Sequence, residues 1–572
     1  MIAKSIRFLR LPSPLIALAI VAACGSKAPA GFSFVTPGHD GGGNDGGTLT
    51  DSGGDDGPSL FQDGGSTLVL DPANVTLFID TATTPPTPAT QAYTATYNGT
   101  DVTSQLALTL QNTALGSFSG QAFTSATTIP GGVLGVTTEV QAAADGQTAA
   151  GNLTLVALNK TGPNQDFYFV VPYQQPPTPP LEELTFSTKL QSIDVAMLLD
   201  TTGSMGASIS NVQTNLTKAG GILDGLQAAI PNVGIAIVDH RDFPYGGYGG
   251  PGDFPVKVWQ TITTSAAAAQ AAVANYSVGD GADDPEAQIP AMDYLLTGNA
   301  LTWPTGSVAA HTPAPGTQGG VDFRPGSFRV VVQITDAPWH NYDGTPADPL
   351  ATPYSFSTPD YKQLATDFTT FTAKYVGIVD DHSQDTHPHV ESQTLSDATQ
   401  SNVPAVAYPG GACNPQAGAA SNGNCRLNFD INNGVGLDTS VVQAIQAISV
   451  GAYFNITAIP ANDPTNANGV DATKFIAAIQ AIGAGDPANN CPPLPTTKSQ
   501  PGLMYDDVFV GVTTGTAVCF NIIAATNTTV PATTAAQFYN AFINVVGLPG
   551  NTTLDQRKVL FLVPPADLGG QQ

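Results

Sequence analysis

Residues 195–205 read VAMLLDTTGSM, an apolar run that stops on Asp200 and gives way to a cluster of small hydroxyl side chains. Near-continuous apolar runs of this kind are expected of strands covered on both faces. Further runs are NVGIAIVDH at 232–240, SFRVVVQITDA at 327–337 and KYVGIVDD at 374–381. Helix-like stretches lie between them. Ile209, Val212 and Leu216 form one stripe in SISNVQTNLTKAGGILDGLQAAI, and AAAAQAAVANY, YKQLATDFTTFTAKY and DTSVVQAIQAI come later. This alternation predicts βαβ units, a doubly wound α/β sheet, and a binding crevice at the carboxyl ends of its strands.

Asp200 closes the first run, and Thr202 and Ser204 stand two and four residues further along the turn. A carboxylate and two hydroxyls at the mouth of a parallel sheet make a hard oxygen site, suited to Mg²⁺, Mn²⁺ or Ca²⁺ rather than zinc. The competing reading is a helix N-cap, where the same residue types are favoured. Asp200-Thr201-Thr202-Gly203-Ser204-Met205 resembles the DxTxS form of the metal-ion-dependent adhesion site (MIDAS) of von Willebrand factor A (VWA) domains. GDGADDPEA at 279–287 resembles the integrin β-like loop in which Asp-x-Pro-Glu supplies metal ligands, which falls on Asp283, Pro285 and Glu286. ITDAPWH at 334–340 resembles the strand-end TDA segment of the same group, with Asp336 as its aspartate.

The resemblance spans 191–452. It implies a Rossmann-like VWA domain that holds a divalent cation through Asp200, Thr202, Ser204, Asp283, Glu286 and Asp336. It also implies adhesion, because a protein or glycan partner's carboxylate can replace water on such an ion. Two departures stand out. Met205-Gly206-Ala207-Ser208 carries no acid, so no adjacent second metal site is expected, and Pro290 would interrupt a helix beginning at Glu286, with Asp284 an alternative to Asp283. The implied protein is not an enzyme; the alternatives are a metal-assisted hydrolase and a structural envelope protein with a vacant MIDAS.

Other polar candidates read more plainly. Asp239, His240, Arg241 and Asp242 end the second run, where they could line the crevice but read more plainly as a surface loop with ion pairing, and Trp339 and His340 have no defined role. VDDHSQDTHPHV at 379–390 gathers His382, His387 and His389 with Asp380, Asp381 and Asp385 and could bind a transition metal, yet no fixed helical spacing is present and Pro388 between two histidines reads as an extended, solvated loop. The tracts 245–255 and 302–326 read as long loops.

The 572 residues imply roughly three or four domains. With 42% hydrophobic and 11% charged residues, 60 Gly and 46 Pro, the chain reads as loop-rich and β-rich. A net charge of −27 disfavours nucleic acid and anionic lipid headgroups, leaving a lipid anchor as the route to a membrane. Lys4, Arg7 and Arg10 precede an apolar segment, Leu11–Ala23, with signal-peptide proportions, so 1–23 is expected to be cleaved. Val21-Ala22-Ala23-Cys24 resembles the bacterial lipobox, which implies lipidation of Cys24; Gly25 in place of aspartate leans toward the outer membrane, facing periplasm or exterior. Residues 24–66 form a Gly/Asp-rich tether whose disordered part spans about 30 Å.

Residues 67–160 hold short β-branched runs separated by turns, an all-β module that resembles bacterial immunoglobulin-like domains. Residues 161–190 and 453–566 read as one β-sandwich split by the VWA insertion, with 166–172 expected to meet 558–564. One helix is expected in ATKFIAAIQAI. Cys413, Cys425, Cys491 and Cys519 suggest two disulfides; the most local pairing joins Cys413 to Cys425 and Cys491 to Cys519, and the sequence leaves the other connectivities open.

Overall fold

The computed structural model describes residues 67–159, 167–279, 281–381 and 387–566. The signal peptide, Cys24 and the tether lie outside these residues, as do His382 and Asp385. Two compact units are present, one built on residues up to 165 and the other on 166–533 with 537–564.

The first unit is all-β among its described residues. Its largest sheet joins Asn74–Asp80, Gln147–Leu158, Gly135–Ala144 and Ala107–Leu110, with the first pair parallel and the others antiparallel. Alternate residues of Asn74–Asp80 point inward, so Val75, Leu77 and Ile79 meet Tyr93, Phe123, Val140 and Leu153 in one core.

The second unit is centred on a six-stranded sheet. Its strands are β1 (Ser192–Asp200), β2 (Asn232–His240), β3 (Lys257–Thr263), β4 (Phe328–Thr335), β5 (Ala373–Asp380) and β6 (Asn428–Ile431). They lie in the order β3-β2-β1-β4-β5-β6, parallel except for the antiparallel edge strand β3. This is the doubly wound α/β architecture expected from the apolar runs.

Among the described residues, seven helices accompany the sheet: α1 (Gly206–Asn215), α2 (Ile222–Ala229), α3 (Ala266–Val273), α4 (Gln288–Thr297), α5 (Tyr361–Thr370), α6 (His387–Ala398) and α7 (Leu437–Gly451). Both faces of β1 are buried because its side chains alternate between two cores. Val195, Met197 and Leu199 pack with Val212, Leu226 and Val441 of α1, α2 and α7, while Ala196 and Leu198 pack with Leu295, Leu364 and Leu395 of α4, α5 and α6. The stretch from Ser208 to Ile230 divides into α1 and α2 because the chain reverses at Gly220, which takes a φ of +72°. Pro290 occupies the first turn of α4, which starts at Gln288, so it does not interrupt the helix. Pro388 likewise sits in the first turn of α6, and the extended loop expected around it is a helix.

The sheet is inserted between strands of a β-sandwich. Phe167–Val170 pairs in parallel with Val559–Leu562 of the strand Thr552–Val563, and that sheet continues through Gln537–Leu548, Tyr453–Asn462, Val508–Thr513 and Thr496–Thr497. A three-stranded sheet, Leu181–Phe186, Val518–Ala524 and Ile476–Ala481, faces it, with Phe509 edge-on to Phe520 at 5.1 Å. The helix expected in ATKFIAAIQAI is a short 3₁₀ turn, Ala472–Phe475, followed by the strand Ile476–Ala481. Pairing with the buried strand Val518–Ala524 overrides the local preference. Disulfides join Cys413 to Cys425 and Cys491 to Cys519.

Candidate metal centre

The direction of chain winding reverses between β1 and β4, and a doubly wound sheet opens its crevice outside the carboxyl ends of the strands at such a point. Asp200 ends β1 there and is fully buried. Its Oδ1 accepts from the Thr202 backbone N–H at 2.9 Å and from Thr202 Oγ1 at 2.6 Å. Its Oδ2 accepts from Thr335 Oγ1, the last residue of β4, at 2.7 Å. One residue further on, Asp336 Oδ1 accepts from Ser204 Oγ at 3.0 Å. Thr202 and Ser204 thus each give a hydroxyl proton to a carboxylate and keep lone pairs for another partner, whereas Thr335 Oγ1 already accepts from Gln288 Nε2 and Ala337 N. The side-chain caps of helix N-terminal amides that the competing reading requires are not made at Thr202 or Met205.

Glu286 comes from the turn before α4. Its backbone is pinned to the segment after β4: its N–H donates to Pro338 O at 3.0 Å and its carbonyl accepts from His340 N at 3.1 Å. Gly281 lies between this carboxylate and Thr202. A methyl group on Gly281 would stand 2.9 Å from Glu286 Oε1 and 3.6 Å from Thr202 Cβ, and φ is +62° there. Glu286 is 3% exposed, and its Oε2 is buried without a hydrogen-bond donor. Burial pushes its carboxyl well above the usual range, and the charges of Asp200, Asp242, Asp283 and Asp253 push it further. A buried carboxylate oxygen with no donor, surrounded by other carboxylates, fits a divalent cation; the donor set of Asp200, Thr202, Ser204, Glu286 and Asp336 is all oxygen.

Asp283 turns elsewhere. Its Oδ2 lies 3.4 Å from His340 Nε2, which is also 3.2 Å from Asp242 Oδ2. Asp284 is exposed. His340 Nδ1 stands 2.6 Å from Thr352 O, and the ring lies against Tyr248 and Tyr354. Burial opposes an imidazolium at His340, but the Asp242 and Asp283 carboxylates outweigh it and raise the group to about 9. The sequence predicts no adjacent second metal site, since Met205–Ser208 carries no acid. The structure nevertheless groups one ligand atom from each of Asp242, Asp283 and His340 within 4.8 Å of one another.

The end of β2 and the two residues after it are not the surface loop expected. Asp239, His240, Arg241 and Asp242 are all buried. Arg241 ties three loops together, reaching Thr201 Oγ1 at 3.2 Å, Asp253 Oδ1 at 3.3 Å and Ser277 O at 2.7 Å. Burial raises Asp239 to about 7, against hydrogen bonds from Trp259 and Thr201. Burial also holds the His240 ring neutral, with its pKa lowered. The sequence reading missed Thr335 and the burial of this group. The available signal was four consecutive polar residues closing an apolar strand in a chain with only 11% charged residues.

No known family pattern matches the chain, and no curated protein matches it. Among solved structures it is similar to a von Willebrand factor type A from Catenulispora acidiphila at 11% identity, covering 81% of this chain and 74% of that one with a TM-score of 0.25. A superposition of that quality carries no argument, so the fold assignment rests on the observed strand order and helix placement.

Proposed function

We propose that this chain is an envelope lipoprotein whose doubly wound unit holds one divalent cation and uses it to bind a carboxylate on a protein or glycan partner. The observation that carries the reading is Glu286 Oε2, a buried carboxylate oxygen without a donor at the carboxyl edge where β1 and β4 diverge. Asp200, Thr202, Ser204, Asp336 and Glu286 would hold the ion, and hard oxygen donors favour Mg²⁺, Mn²⁺ or Ca²⁺. Ser204 is exposed at the mouth of the crevice while Asp200 and Thr202 are buried, which leaves the ion reachable from one side. A chain of net charge −27 repels anionic groups, so a carboxylate ligand needs a local cation to approach. The ion supplies charge and an exchangeable coordination position; the role is binding and not turnover. Lipidation at Cys24 would tether the protein to the outer membrane, facing periplasm or exterior.

Thermal unfolding of the full chain in EDTA and then in Mg²⁺, Mn²⁺ or Ca²⁺ tests the metal step. Linkage gives about 2.7 kcal/mol of stabilisation at a hundredfold excess over Kd for wild type and none for Asp200→Ala. An unchanged midpoint for wild type in all three cations would sink the reading. Cation-dependent capture of carboxylate-bearing beads by wild type alone tests the binding step.

A further inference from the structure

We infer that a second metal centre, for a transition ion such as Zn²⁺, lies at the far end of the same sheet edge, built from His389, Asp381 and Gln416 and oriented by Asp430. Four separate elements converge there: Asp381 follows the last residue of β5, His389 lies in the first turn of α6, Asp430 belongs to β6, and Gln416 sits in the loop closed by Cys413–Cys425. One ligand atom from each of Asp381, His389 and Asp430 falls within 4.8 Å of the others. His389 is 5% exposed, whereas the Asp381 and Asp430 side chains keep 26% and 21% of their surface, so ions and water can enter.

The contacts around the imidazole are hard to satisfy with protons alone. Nε2 is 2.6 Å from Asp381 Oδ1 and 2.9 Å from the side-chain amide of Gln416, and Nδ1 is 3.4 Å from Asp430 Oδ1. A neutral ring that gives its Nδ1 proton to Asp430 presents a lone pair to the Asp381 carboxylate. A neutral ring of the other tautomer leaves Asp430 Oδ1 facing a lone pair, and that oxygen is buried without a hydrogen-bond donor. An imidazolium serves both carboxylates but leaves one negative charge in excess. A divalent ion on Nε2 and Asp381, with Asp430 holding the Nδ1 proton, balances two carboxylates and reproduces the carboxylate–histidine–metal arrangement. The Gln416 amide, whose oxygen and nitrogen interchange by rotation, then offers its oxygen.

The loop is held for this purpose. Cys413 of the disulfide immediately precedes the Asn414–Gln416 turn, in which the Gln416 N–H donates to Asn414 Oδ1 at 2.9 Å. Asn414 Nδ2 donates in turn to Asp430 Oδ2 at 2.7 Å. One imidazole nitrogen with carboxylate and amide oxygens is a borderline donor set that suits Zn²⁺ or Co²⁺, unlike the all-oxygen set at Asp200. The two centres are therefore separable by ion type.

The test is metal content of the purified full chain after equilibration with Mg²⁺ and Zn²⁺ together and removal of free ions. Wild type and Asp200→Ala are expected to retain one zinc per chain. His389→Ala and Asp381→Asn are expected to retain none, and Asp430→Asn to bind zinc about 10–100-fold more weakly. His387→Ala, four residues along in α6 from Glu391 and outside the donor set, should retain zinc. Circular dichroism of each variant checks that it is folded, and the two asparagine variants preserve volume if His389→Ala fails that check. No zinc on wild type, zinc surviving in both His389→Ala and Asp381→Asn, or zinc lost from folded His387→Ala would each overturn the inference.

Discussion

Glu286 shows how one side chain links burial and charge to the proposed ion binding. Its carboxyl is held well above the usual range, first by burial and then by neighbouring acids, so the folded chain without a cation binds a proton that the unfolded chain releases. A raised acid pKa contributes stability at low pH and loses it as pH climbs above the ordinary glutamate range toward the folded value. Stability in EDTA therefore falls with rising pH through this group, and a bound cation removes that slope by favouring the carboxylate. Glu286→Gln should flatten the EDTA slope, raise the midpoint at pH 8 relative to wild type, and reduce the gain from Mg²⁺ at least tenfold in apparent affinity. Unfolding midpoints between pH 5 and 8, with and without Mg²⁺, measure all three. The Asp-x-Pro-Glu spacing singles out this acid as a candidate; that its Oε2 lacks a donor is not legible there, because that depends on what α4 and the segment after β4 bring near it.

At the scale of elements, close approach matters more than pattern. Gly377 sits inside β5, and a methyl group there would stand 1.9 Å from Ser392 Oγ of α6 and 2.7 Å from Asn428 Nδ2 of β6. The missing side chain lets α6 settle onto β5 beside β6, which also positions His389. Ser392 Oγ accepts from Asn428 Nδ2 at 2.6 Å and lies 2.7 Å from Tyr375 Oη, a buried polar seam with no room to shift. Gly377→Ala should cost about 1–3 kcal/mol by overpacking, read as a lower urea midpoint at unchanged slope. The four main strands could be found from their apolar runs. The 3₁₀ turn and strand at 472–481 could not, since an Ala- and Ile-rich peptide suits a helix until an antiparallel partner claims its backbone.

For the second unit as a whole, the apolar core does not stop at the edge of the doubly wound sheet. Val195, Met197 and Val441 belong to the same buried cluster as Phe169, Phe454, Phe520 and Phe561. Phe328 at the start of β4 meets Phe454 edge-on at 5.6 Å. Phe561, fully buried, stacks on Phe169 at 5.5 Å and lies 5.3 Å from Phe475. A core shared in this way makes the inserted sheet and its sandwich unfold together. Phe561→Ala should cost about 3–5 kcal/mol and lower the urea midpoint of the α/β sheet and the sandwich equally. Hydrogen exchange that protected β1 after the sandwich had opened would contradict this.

Several features followed from the sequence by itself. Runs buried on both faces announced the parallel sheet, an acid at the end of the first run announced a polar crevice, and paired cysteines close in sequence joined locally, because each depends on short-range periodicity or spacing. Tertiary structure alone decided the rest. Thr335 bonding Asp200, Asp283 turning to His340, and His389 packed between two carboxylates all join residues far apart in the chain. Such contacts are set by how crossover connections stack the elements, and no local pattern encodes the atom that ends up next to another across a closed core.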